Sequence, residues 1–124
     1  MAYSKGTLAG DFIEGILSEV NGLIAVSVVD IVEELSMDTF SVRDNFDPDV
    51  ATANIMEVLK AQQQTIKALR LNEMIKEIFV TLESQVHFLT LSKSGKALFY
   101  IVADSQGSNL SIMRSVVRKY AKGI

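Results

Sequence analysis

Apolar residues recur along this chain in two alternating periods, and each change of period marks a new element. From Asp11 to Val20, Phe12, Ile13, Ile16, Leu17 and Val20 fall on one face of a short helix. Asn21-Gly22 closes that helix, since glycine enters the left-handed conformation without strain. Leu23 to Val29 (LIAVSVV) is apolar on both faces, as a central strand covered by helices on both sides would be. A second strand is expected within Glu34 to Val42 (ELSMDTFSV), where the alternation is imperfect.

Asp47-Pro48-Asp49 supplies a side-chain acceptor for free backbone N–H groups, a proline at the first helical position and a carboxylate near the positive end of the dipole. The spacing predicts a long helix from there to about Arg70, with Lys67 and Arg70 in its last turn. One stripe, Ile55, Leu59, Gln62, Ile66 and Leu69, suits a sheet. A second stripe, Ala51, Asn54, Val58, Ala61, Thr65 and Ala68, follows three-four spacing and is built mostly of small residues. A helix that touches only a sheet has no use for a second face. The stripe is therefore read as a helix–helix contact across a dimer axis, against the plainer reading of an alanine-rich surface that simply favours helix.

The last fifty residues return to strands. Met74 to Leu82 (MIKEIFVTL), Val86 to Leu91 (VHFLTL) and Ala97 to Ala103 (ALFYIVA) are separated by Glu83-Ser84-Gln85 and by Ser92 to Lys96, a hairpin turn containing Gly95. Asp104-Ser-Gln-Gly-Ser-Asn-Leu then opens a final helix with Leu110, Met113, Val117 and Tyr120 on its apolar side. The order is α-β-β-α-β-β-β-α. A five-stranded antiparallel sheet with helices on both faces, an α+β arrangement within the broad α/β class, satisfies the two-sided apolarity of the strands.

At 124 residues the chain is expected to be a single domain, 1–124. It has no cysteine, which excludes disulfides and thiolate metal sites. The opening Met-Ala-Tyr-Ser-Lys-Gly lacks the apolar stretch of a secretory signal. The longest apolar run, Leu23 to Val32, contains Ser27 and Asp30 and falls well short of the ~20 residues that span a bilayer. A soluble cytoplasmic protein without a membrane span is the expectation.

The net charge of −3 hides an asymmetry: residues 1–59 carry two basic and eleven acidic side chains, residues 60–124 ten and four. Such polarity can steer a partner or orient two subunits. Mutual neutralisation of the two halves within one fold is the preferred expectation. The basic residues are scattered over several elements, which argues against nucleic acid as a partner.

Particular residues then narrow the field. Val80-Thr-Leu-Glu-Ser-Gln85-Val-His87-Phe-Leu resembles the strand-turn-strand segment of the roadblock/dynein light chain family. Phe99-Tyr-Ile-Val-Ala-Asp104, with Ser108-Asn109-Leu110 and Arg114, resembles its last strand and Asn-Leu helix start. The helix entered through Phe46-Asp47-Pro48 also sits where that family has it. The match is strongest over Asp47 to Tyr120; in the first hairpin the family's Asp-Gly turn is replaced by Asp30-Ile-Val-Glu-Glu34.

The resemblance implies a profilin-like fold and a homo- or heterodimer. In it two sheets join edge to edge through the strand bearing Met74, Lys76, Ile78 and Val80, and the two long helices pack together. It also implies a non-enzymatic partner of a small Ras-like GTPase, as in bacterial motility and polarity modules, or alternatively a motor or cargo adaptor on dynein. A third reading, a ligand-sensing domain of related topology, requires a large preformed pocket.

No catalytic constellation emerges. His87 is the only histidine, it lies between Val86 and Phe88, and a structural hydrogen-bonded role is expected of it. Asp44, Asp47 and Asp49 lack the order of a calcium loop. Lys93-Ser94-Gly95-Lys96 lacks the upstream glycine and following helix of a phosphate loop. No cofactor is expected. Arg114 and Arg118, one turn apart on the last helix, are candidates for contact with an acidic partner, or a solvated face complementing the helix C-terminus.

Overall fold

Thr7 starts the first helix three residues earlier than the apolar pattern indicates. Its Oγ1 accepts the Gly10 N–H at 2.9 Å, so α1 runs Leu8–Glu19. The structure is a computed structural model and describes residues 3–124. Gly22, at φ +74°, makes the turn into β1 (Leu23–Asp30). A turn closed by the Asp30 carboxylate, which accepts the Glu33 N–H at 3.0 Å, leads to β2 (Leu35–Ser41). Glu34 takes φ +56° there, the role that glycine fills in an Asp-Gly hairpin.

Helix α2 (Pro48–Ala68) begins as its sequence predicts: Asp47 accepts the Asp49 and Val50 N–H groups at 2.9 and 3.3 Å. It ends two residues short of Arg70, because Arg70 turns left-handed (φ +56°) and Leu71 N–H closes back on the Ile66 carbonyl at 3.1 Å. Strands β3 (Glu77–Thr81), β4 (Gln85–Leu91) and β5 (Ala97–Asp104) follow, then α3 (Leu110–Tyr120). Asn109 caps α3 by accepting the Ile112 N–H at 3.2 Å, and Gly95 (φ +75°) makes the β4–β5 turn.

The strands form one antiparallel sheet in the order β2-β1-β5-β4-β3. Side chains alternate between its faces. Val26, Val28, Phe88, Phe99, Ile101 and Ala103 meet α1 and α3 on one side, where the Phe12 and Phe99 rings lie 4.5 Å apart. Ile24, Ala25, Val29, Leu89, Leu98, Tyr100 and Val102 meet α2 on the other. The predicted five-stranded α+β architecture and its element order are therefore found, and the two central strands β1 and β5 are buried on both faces.

Three expectations need correction. Met74 and Lys76 precede β3 and do not belong to it, because β4 supplies no partner beyond the Glu77–Thr90 pair; the Thr90 hydroxyl instead donates to the Lys76 carbonyl at 2.9 Å. The sheet-facing stripe of α2 is Thr52, Ile55, Met56 and Leu59, while Gln62 and Leu69 are exposed. On α3, Val116 takes the buried place expected of Leu110, which is 42 % exposed.

Among the described residues no buried side-chain polar atom lacks a partner. No helix among them is long and apolar enough to cross a membrane.

Candidate interaction surface

The two faces of β3 are finished differently. On the side of α3, Phe79 stacks on Phe88 with ring centroids 4.6 Å apart and planes 20° from parallel. Arg114 lies 5.6 Å above the Phe79 ring and grips the Glu77 carboxylate with both arms, Nε to Oε2 at 2.7 Å and an Nη to Oε1 at 2.8 Å. Arg114, a candidate for partner contact, is thus ion-paired within its own chain, with its side chain still 35 % exposed. Arg118, one turn on, is exposed.

On the side of α2 the cover stops short. Past Leu59 every residue of the helix is exposed except the half-buried Ile66 and Lys60. Of the small-residue stripe, Ala51 is half-buried, whereas Asn54, Val58, Ala61, Thr65 and Ala68 face outward. Its two polar members turn back on their own helix: Asn54 Nδ2 donates to the Val50 carbonyl at 2.9 Å, and Thr65 Oγ1 to that of Ala61 at 3.2 Å. The stripe therefore presents mostly small side chains, with Asn54 and Thr65 each donating to their own helix, and suits close approach by another helix.

Val58 lines an open groove with Gln62, Ile75, Lys76, Glu77 and Ile78. The structure so brings together Val58, Lys76 and Ile78, which sequence spacing assigned to two separate elements. Val80 continues the same face of β3 in register with His87. Met74, 70 % exposed, lines a neighbouring groove with Ile66, Leu71 and Ile75.

Leu71 and Ile75 were missed by sequence reasoning, as was the exposure of Leu69; the available signal was the run Leu69-Arg70-Leu71, apolar residues directly after the helix. Among the described residues β3 pairs only with β4, so its outer edge has no strand partner there. A free strand edge beside exposed Leu69, Leu71 and Met74 is an unfinished surface.

His87 sits at the border of this surface. Its Nε2 is 3.0 Å from Gln85 Oε1, and its Nδ1 is 2.7 Å from the Tyr100 hydroxyl. Burial lowers the histidine pKa below its ordinary value and pushes the tyrosine up to about 12. A neutral imidazole donating from Nε2 to the amide oxygen and accepting the phenol proton at Nδ1 satisfies all three groups. The ring has no nitrogen left for a substrate.

The fold recurs in solved structures. MglB of Myxococcus xanthus superposes with a TM-score of 0.76 over 95 % of this chain and 92 % of that one, at 14 % identity. The gliding protein MglB of Thermus thermophilus gives 0.73 over 96 % and 89 %, at 15 % identity. A Roadblock/LC7 domain from Streptomyces avermitilis gives 0.68 over 93 % and 89 %, also at 15 % identity. This chain has the roadblock fold.

No protein-family model and no curated protein matches the sequence. The roadblock likeness therefore rests on shape, and at this identity it establishes the fold and nothing finer. Within that fold, the α2 flank and the β3 edge form one place where this chain leaves apolar groups uncovered.

Proposed function

We propose that the protein is a non-enzymatic, homodimeric scaffold that binds and regulates a small Ras-like GTPase in the cytoplasm. The observation that carries this reading is the bare flank: a free β3 edge beside the stripe Asn54, Val58, Ala61, Thr65 and Ala68. Two copies related by a two-fold axis would pair their β3 edges and pack their α2 helices, covering Val58, Ile78 and Val80 in both. That is the assembly the roadblock resemblance implies, and the exposure of these residues supports it.

The GTPase part of the reading draws on the same resemblance and on the likeness to the two MglB structures. Any effect on GTP hydrolysis would come from repositioning the GTPase's own groups. The pairing of Arg114 with Glu77 in the single chain supports a positioning role over insertion into the partner's site. His87 has both nitrogens engaged, which supports a binding role for the chain over a catalytic one.

Affinity capture from the source cells, scored for a Ras-like GTPase, tests the partner. Recovery of such a GTPase by the native chain and its loss with Ala61→Glu supports the proposal. A dynein-type motor complex recovered in its place would favour the adaptor reading. Hydrolysis of a nucleotide or ester by the purified chain, abolished by a folded His87→Gln variant, would refute the scaffold altogether.

A further inference from the structure

Strand β2 forms the edge of the sheet opposite β3. There α2 and β2 enclose a second open groove, of about 540 Å³. Leu35, Ala53 and Met56 give it apolar walls, and Glu34, Asp49 and Glu57 stand around it. Leu35 is 65 % exposed, and Ala53 across the groove is exposed as well. Apolar side chains held in water around one depression mark a surface that gains by being covered.

The charge around the groove says what would cover it. Lys60 bridges Glu34 and Glu57, at 3.8 Å from the latter, and is the one basic group that ion-pairs there among the described residues. Three carboxylates against one ammonium leave the depression negative. A second copy presenting the same end would bring like charges together. Strand addition at this edge is also disfavoured: Met37 falls outside the register between the Val28–Asp38 and Val29–Ser36 pairs, a bulge that breaks the ladder of the edge strand. Recognition therefore falls to side chains.

We infer that the α2–β2 groove docks a short segment of a partner protein, apolar along one side and bearing lysine or arginine next to it. Leucine-like groups would fill the space over Leu35 and Met56, and the cations would meet Glu34, Asp49 and Glu57. The β2 wall of the groove lies at the opposite edge of the sheet from β3, while its α2 wall, Ala53 and Glu57, adjoins the stripe of the proposed dimer contact; the inference does not draw on that contact.

The test pans a displayed library of random peptides, each about twelve residues long, against the purified full chain and measures the enriched peptides by calorimetry. Enriched sequences should be net basic with apolar residues at regular spacing. Leu35→Ser and Glu57→Lys, both at exposed positions, should each weaken their binding roughly tenfold or more, and added salt should weaken it further. Lys122→Glu, beyond the end of α3, should leave binding unchanged. Circular dichroism establishes that the variants are folded. The inference is overturned if no peptide enriches, if the enriched peptides lack basic residues, or if both groove variants bind as the native chain does. It is equally overturned if the native chain self-associates through this end and Glu57→Lys abolishes that association.

Discussion

His87 shows how two neighbours fix the state of one residue. Tyr100 donates to Nδ1, Gln85 accepts from Nε2, and burial disfavours the imidazolium. A folded-state pKa below the ordinary value means that the unfolded chain takes the proton first as pH falls. The stabilisation is fully present above about pH 6.5, declines below it as far as the folded-state value, and is level beneath that. Urea unfolding at about pH 7.5 and pH 5.5 should show this loss in the native chain and a smaller one in His87→Gln; equal losses in both would mean that other groups control the dependence. A lone histidine flanked by Val86 and Phe88 was legible as structural. Its partner Tyr100 was not, because that contact exists only once β4 and β5 are in register, with Leu89 opposite Tyr100. Arg114 was illegible for the same reason, since Glu77 lies 37 residues away in sequence.

At the level of elements, boundaries set by local chemistry were readable and those set by a distant partner were not. Asp47-Pro48-Asp49 announces the start of α2 because cap, proline and carboxylate act within one turn. The start of β3 depends on where β4 runs out, which no residue between Met74 and Glu77 encodes. The packing of α1 on α3 depends likewise on contact between remote residues. A Cβ on Gly15 would fall within 2.5 Å of the Tyr120 ring, whose hydroxyl donates to Glu19. Gly15→Ala should force that ring aside and destabilise the chain by about 1–3 kcal/mol in denaturant unfolding; an unchanged midpoint would show that the helices are free to part. The end of α2 offers the opposite sign. Arg70 is left-handed, so Arg70→Gly removes backbone strain and should stabilise by about 0.5 kcal/mol, a net of relieved strain against added unfolded-state entropy. A destabilised variant would mean that the arginine side chain contributes more than its backbone costs.

For the whole molecule, the expectation that the acidic and basic halves neutralise each other is met only in part. Glu19–Lys119 and Glu34–Lys60 join acidic groups of the first half to basic groups of the second; Arg43–Asp104 crosses the same boundary with the signs reversed, and Arg114–Glu77 lies within the second half. Glu34, Asp49 and Glu57 keep a negative cluster beside β2, at one edge of the sheet. The far end combines a free edge, a helix face of mostly small residues and exposed Leu69, Leu71 and Met74. The periodicity of α2 revealed two faces, but not which neighbour covers the second, since that neighbour lies outside the chain. Association through the β3 end keeps the two acidic ends apart and buries the apolar flank of both copies, so a closed dimer is the expected state. Sedimentation equilibrium at micromolar concentration should therefore give twice the 13.6 kDa of one chain. Ala61 is exposed in the single chain, so Ala61→Glu leaves the monomer's packing intact while setting two carboxylates near the axis. It should weaken association roughly tenfold or more, with part of the loss recovered in high salt as the charges are screened. A native chain that sediments only at the monomer mass, or an Ala61→Glu chain that dimerises as tightly as the native one, would remove α2 from the interface and leave the bare flank to a different protein.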